Sequence, residues 1–206
     1  MNDNLQKSPW CENVILVDAD YIDNVTSHLI THFEKMLERR IPSADFARWI
    51  DCIALDGGLR QGDNQTQVIL IHGKEKTRLE HFMPSDMGTE LNGKAFKDRM
   101  GEFLISAYPV EDIADGENLL TEVLELIVTQ KVVKRIMVVP WAEMAHIYNK
   151  VREVLSRVED KEKLITVYAM DPTPANLSQG VNFRQEVLGY SVLAALGIKA
   201  DEIREK

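Results

Sequence analysis

Two aspartates, Asp18 and Asp20, follow directly after the apolar run at residues 14–17. A carboxylate at the end of a buried strand is poorly solvated, and several of them repel one another unless a cation or protons neutralise them. Oxygen ligands of this kind suit hard cations such as Mg²⁺. The pair therefore predicts a metal or acid–base site, although Asp20 alone would also suit the N-cap of a following helix.

Further polar side chains follow the other apolar runs, at the points where buried strands would end. In open α/β sheets, ligands bind beyond the carboxyl ends of the strands, so we expect these side chains to gather at one edge. The candidates for ligand binding at this edge are His72, Lys74, Tyr108, Trp141, Glu143 and Asp171. Glu117 falls in the first turn of the helix before the fourth run, from which it could point towards the same edge.

The other short motifs in the chain are incomplete and do not predict a functional site. His28 and His32 have the spacing of two metal ligands on a helix, but no third ligand or catalytic glutamate accompanies them. Gly73 and Lys74 look like the end of a phosphate-binding loop, but Val68 stands where that loop requires glycine. The chain also lacks the dinucleotide-binding glycine fingerprint and the nucleophile elbow of α/β-hydrolases.

The elements that must position these residues are five short apolar runs with helical patterns between them. The runs lie at residues 14–17, 68–71, 103–105, 136–139 and 164–168. Because these strands do not alternate with polar residues, both of their faces must be covered, which is typical of a parallel sheet. Strands that alternate with helices predict a three-layer α/β/α sandwich, Rossmann-like, with a mainly parallel sheet of about five strands.

The last predicted helix begins at the N-cap Asn182, with Gln185 three residues later, and ends at Gly197. Residues 73–101 contain proline and glycine, and we expect loops with short helices there. The length of 206 residues suits one domain over residues 1–206, with flexible ends at 1–12 and 200–206.

The composition excludes several classes of protein. Apolar residues make up 45% of the chain, enough for a core without disulfides or a structural metal, and the net charge is −9. This charge argues against a general nucleic-acid coat or an anionic membrane surface as partner. The two cysteines, Cys11 and Cys52, are expected to be free thiols. The absence of an apolar export signal and of a membrane-spanning stretch predicts a cytoplasmic protein.

Three segments together resemble the NYN branch of the PIN-like nucleases. They are residues 14–20, residues 116–127, and residues 136–143 with the strand at 164–168. The resemblance implies that Asp18, Glu117 and Glu143 hold Mg²⁺ or Mn²⁺, with Asp20 as a further catalytic group, and that the substrate is RNA. The sequence departs from that family where Pro140 and Trp141 replace an acidic turn, a change that suits degenerate domains that bind without cutting.

Over nearly its full length the chain also resembles a family of uncharacterised Bacteroidetes proteins, on residues 46–58 and 182–186. That resemblance implies no activity. Three functions follow from the sequence: a non-catalytic PIN/NYN-like binding domain, a metal-dependent phosphodiesterase or ribonuclease, and an enzyme acting on a small phosphorylated or nucleotide ligand.

Overall fold

The centre of the molecule is a seven-stranded sheet in which all neighbouring strands but one pair are parallel. The computed structural model describes residues 9–110, 116–171 and 182–204, with the backbone alone for 116–118 and 204. The strands of the main sheet are β1 (Asn13–Asp18), β3 (Gln65–His72), β5 (Ala95–Asp98), β6 (Gly101–Pro109), β7 (Arg135–Val139), β8 (Leu164–Ala169) and β9 (Arg184–Val187). A separate pair is formed by β2 (Ala44–Asp45) and β4 (Phe82–Met83).

The strands of the main sheet lie in the order β5-β6-β3-β1-β7-β8-β9. Counted along the chain, the parallel strands follow the order 3-2-1-4-5-6 of doubly wound Rossmann folds. Only β5 runs antiparallel, at one edge beside β6. The chain therefore changes direction across the sheet between β1 and β7, which is the point where such folds bind ligands.

Helices cover both faces of the sheet. They are α1 (Ala19–Leu37), α2 (Phe46–Asp56), α3 (Gly116–Thr129), α4 (Ala145–Ser156), α5 (Leu188–Ala195) and α6 (Ala200–Arg204), with one π-helical turn at Met87–Leu91. Within β1, Ile15 and Val17 pack into the cluster under α1, α2 and α5, whereas Val14 and Leu16 pack under α3 and α4. This double burial explains the unbroken apolar run and confirms the predicted three-layer sandwich. No helix in the described ranges is long and apolar enough to cross a bilayer.

The sheet is larger than the predicted five strands. The additional strands, β5 and β9, lie at its two edges, where most of their side chains are exposed or half-buried. Edge strands carry mixed polar sequences, so a search for apolar runs passes over them. The predicted start of the last helix is also wrong, because Asn182 precedes β9 and the helix begins at Leu188, although it ends before Gly197 as expected.

Candidate functional site

The end of β1 enters α1 without a connecting loop, and this places Asp18 at the first turn of the helix. The Asp18 carboxylate accepts a hydrogen bond from the backbone N–H of Tyr21 at 2.9 Å. The N-cap is therefore Asp18 rather than Asp20. Burial is the main cause that raises the pKa of Asp18, to about 6 overall. The nearby Asp20 carboxylate acts in the same direction, whereas the backbone N–H groups of Tyr21 and Asp20 and the charge of Lys76 lower it.

Asp20 turns towards the loop that follows β3. Its Oδ2 accepts a hydrogen bond from the Gly73 N–H at 2.9 Å, and a Cβ at Gly73 would lie 2.9 Å from that oxygen, so a side chain there would crowd it. The other oxygen, Oδ1, is buried without a hydrogen-bond partner and lies 3.9 Å from the Nζ of Lys76.

Asp23, one helical turn after Asp20, is the most buried acid of the group, with 3% of its side chain exposed. It accepts a hydrogen bond from the backbone N–H of His81 at 2.9 Å, and the Nδ1 of His81 lies 3.2 Å away. The Nζ of Lys76 lies 3.2 Å from its Oδ2. The lysine ammonium thus stands between Asp20 and Asp23 and ties α1 to the loop after β3.

The crevice between β1 and β7 holds aromatic rings. Tyr21 and Trp141 stack with their centroids 5.8 Å apart and their planes at 29°. The Tyr21 hydroxyl donates to Oε1 of Glu143 at 2.7 Å, and the Met170 N–H donates to the same oxygen at 3.1 Å. Burial, with the Glu143 carboxylate beside it, raises the pKa of Tyr21. The Glu143 carboxylate therefore links the buried Tyr21 to the turns that follow β7 and β8.

A cavity of about 550 Å³ opens beside this crevice, at the carboxyl ends of β3 and β6. Two predicted ligand-binding residues line it: His72, which is 7% exposed with Nδ1 3.0 Å from the Gly73 carbonyl oxygen, and the exposed Lys74. Thr77 and Asn92 add polar groups, and Asn92 accepts a hydrogen bond from the Ala107 N–H at 3.0 Å. Thr77 and Asn92 both belong to residues 73–101, the segment for which the sequence predicts loops with short helices.

The remaining predicted residues are spread more widely. Tyr108 on β6 is half-buried against the cluster under α3 and α4, and Asp171 is exposed just after β8. Glu117 lies in the first turn of α3, and its side chain is outside the part of the chain that is described. Lys76, Asp23 and His81 were not predicted, although the three-residue spacing of Asp20 and Asp23 places both on one helix face.

The PIN-like resemblance implies a divalent cation held by Asp18, Glu117 and Glu143, but most of the acids described at this edge already accept hydrogen bonds from other groups. Asp18 caps α1, Asp23 accepts from His81, and Glu143 accepts from Tyr21 and Met170. Across the described ranges, no group of three or more His, Cys, Asp or Glu side chains could hold a metal ion. Lys76 places a positive charge beside two carboxylates at this edge, those of Asp20 and Asp23.

The model of a family described as "Family of unknown function (DUF6621)" covers residues 7–203, so the chain belongs to that family. Neither the curated proteins nor the solved structures contain a match.

Proposed function

We propose that this member of the DUF6621 family is a non-catalytic, degenerate PIN/NYN-like binding domain, which holds its ligand at the carboxyl edge of the sheet without cutting it. The observation that carries the proposal is the position of Lys76, whose Nζ lies 3.2 Å from Asp23 and 3.9 Å from Asp20. Acids that would repel one another need a neutralising charge, and here an ammonium group provides it.

A lysine in this position has a different consequence from a metal ion. An ammonium group donates hydrogen bonds but leaves no open coordination position for a phosphate oxygen or a water molecule. Trp141 and Tyr21 act in the same direction, because their stacked rings occupy the switch point between β1 and β7. Both features support binding over hydrolysis.

The cavity beside His72 and Lys74 is the place where we propose that the ligand binds. Its volume of about 550 Å³ suits a small molecule or one nucleotide of an RNA. The ammonium of Lys74, the imidazole of His72 and the hydroxyl of Thr77 can all bind phosphate oxygens, and they outnumber the one carboxylate among the described lining residues, that of Asp86. Cys11 and Cys52 are free, which fits the cytoplasmic setting that we include in the proposal.

One observation favours the alternative, a metal-dependent phosphodiesterase. The Oδ1 of Asp20 is buried without a hydrogen-bond partner, as an unused metal ligand would be. The two functions differ in what Lys76 does, and this difference can be measured directly.

The test is Mn²⁺ binding, followed through the electron paramagnetic resonance signal of free Mn²⁺. We expect the wild-type protein to leave the signal unchanged at millimolar metal, whereas Lys76→Met binds Mn²⁺, because Asp20 and Asp23 lose their cation. Lys35→Met, which removes the same charge from an exposed position on α1, is the control. Tight binding by the wild-type protein that Lys76→Met does not strengthen would contradict the proposal.

A further inference from the structure

The amino edge of the sheet, opposite the site described above, holds a second cavity with a different electrostatic character. Its volume is about 380 Å³, and it opens beside the first residues of β7, β8 and β9. Its basic lining residues are Arg135, Lys161, Lys163 and Arg184, and none of its described lining residues is acidic. Four cations converge here in a chain whose net charge is −9.

Lys163 supplies a fixed charge at the cavity wall. It is 7% exposed, and its ammonium donates hydrogen bonds to the backbone carbonyls of Gln130 at 2.6 Å and Val133 at 2.8 Å. Burial lowers the pKa of Lys163, and the Asp160 carboxylate opposes that effect. These two hydrogen bonds hold the ammonium in place with neutral acceptors, and no carboxylate in the described part of the chain forms an ion pair with it.

Arg135, the first residue of β7, is also held without a carboxylate among its described contacts. Its guanidinium donates to the Gly57 carbonyl at 2.6 Å, while its Nε is buried without a hydrogen-bond partner. Burial lowers the pKa of Arg135, and the charges of Arg60 and Arg184 lower it further.

Glycine at position 58 makes room for this arginine. Its φ of +86° belongs to the left-handed region, and a Cβ there would lie 2.9 Å from Nη1 of Arg135. Because the charges of Arg60 and Arg184 act unfavourably on the charge of Arg135, an anion bound among these cations would be stabilising.

We infer that this cavity binds a compact phosphate-class anion, either free inorganic phosphate or the phosphoryl group of a small monoester. Arginine and lysine together match its chemistry, because guanidinium groups form paired hydrogen bonds to phosphate oxygens and ammonium groups add point charge. Arg184 also pairs with Glu186, so it contributes less free charge than Arg135, Lys161 and Lys163. The half-buried ring of Phe183 forms an apolar wall for the body of a monoester.

This inference does not depend on the proposed function, since the two cavities lie at opposite edges of the sheet. Isothermal titration calorimetry with inorganic phosphate and with glycerol phosphate, at ionic strength matched with sodium chloride, tests it. We expect binding at this cavity to be weakened about tenfold by Arg135→Gln, since a charged hydrogen bond is lost. Binding of both probes indicates that the cavity admits the organic part of a monoester, and binding of inorganic phosphate alone indicates that it does not. Both results support the inference.

Two further variants keep the test decisive if Arg135→Gln unfolds. Lys161 is exposed and lines the cavity, so Lys161→Gln should weaken binding several-fold without disturbing the fold. Lys35→Gln removes the same charge from an exposed residue of α1 that does not line the cavity, and should leave binding unchanged. Absence of heat with both probes, or equal weakening by both lysine variants, would overturn the inference. So would tight binding of an RNA oligonucleotide that Lys161→Gln weakens, if the small anions do not bind.

Discussion

Two effects shift the pKa of Asp18 in opposite directions. As the N-cap of α1, its carboxylate accepts the Tyr21 N–H and favours the ionised form. As a carboxylate at the end of a buried strand next to Asp20, it is poorly solvated, and the balance raises its pKa to about 6. The folded protein therefore binds this proton more tightly than the unfolded chain does.

This difference predicts a pH dependence with a definite sign. A raised folded pKa means that the protonated Asp18 contributes stability fully below about pH 4, and that this contribution is lost as the pH rises through about 6. Asp18→Asn keeps a capping side chain but does not titrate. Relative to the wild-type protein, its free energy of unfolding should increase by up to about 3 kcal/mol between about pH 4 and pH 7.

Urea unfolding of both proteins at several pH values measures this change. Other titrating groups cancel in the comparison, because the two chains differ only at position 18. Parallel stability curves for the two proteins would contradict the raised pKa.

The loop between β3 and β6 is the element that shapes the carboxyl edge. Lys76 and His81 fasten it to Asp23 on α1, and Asn92 fastens it to β6 through the Ala107 N–H. Between these attachments it forms one wall of the cavity that contains Thr77. A ligand in this cavity would therefore contact strand ends on one side and the loop on the other.

A bulky residue at the cavity wall should block ligand binding without damaging the core. Thr77 is exposed, so Thr77→Trp should fold normally, and Thr31→Trp on the exposed face of α1 is the matched control. A thermal-shift screen with nucleotides and phosphorylated metabolites should identify ligands of the wild-type protein. A ligand at 100 times its dissociation constant adds about 2.7 kcal/mol, or about 5–10 °C in Tm.

We expect Thr31→Trp to keep these shifts and Thr77→Trp to lose most of them. Equal shifts in both variants would place the ligand elsewhere. A shift with inorganic phosphate that persists in Thr77→Trp is expected from the basic cavity at the amino edge, so phosphate serves as an internal reference.

The sequence predicts the strands that are buried on both faces. It does not predict the contacts made by the loop between β3 and β6. The apolar run at residues 14–17 predicts a strand covered on both faces, because Val14 and Ile15 face opposite helical layers. In contrast, β5 and β9 are edge strands with polar residues and carry no such pattern.

The candidate site was predicted only in part for a related reason. Asp18 and Asp20 can be identified from the sequence because both come just after the apolar run of a buried strand. The pairing of Lys76 with Asp23 depends on how a loop more than fifty residues later in the chain folds back, and no local pattern encodes that contact.

Across the whole molecule, the two edges of the sheet have opposite chemistry. The carboxyl edge carries Asp18, Asp20 and Asp23 with one lysine between two of them, and the amino edge carries a cavity lined by Arg135 and Lys163. The stacked rings of Tyr21 and Trp141 lie just after the carboxyl ends of β1 and β7. This distribution is the basis of the proposed binding function.

The most direct test is cleavage of a fluorophore–quencher RNA by the full chain in Mn²⁺ or Mg²⁺, with Asp18→Asn and Glu143→Gln as companions. A binding domain without hydrolytic chemistry should release no more fluorescence than the buffer, and neither variant should differ from the wild-type protein. Metal-dependent cleavage by the wild-type protein that a folded Asp18→Asn abolishes would contradict the proposed function.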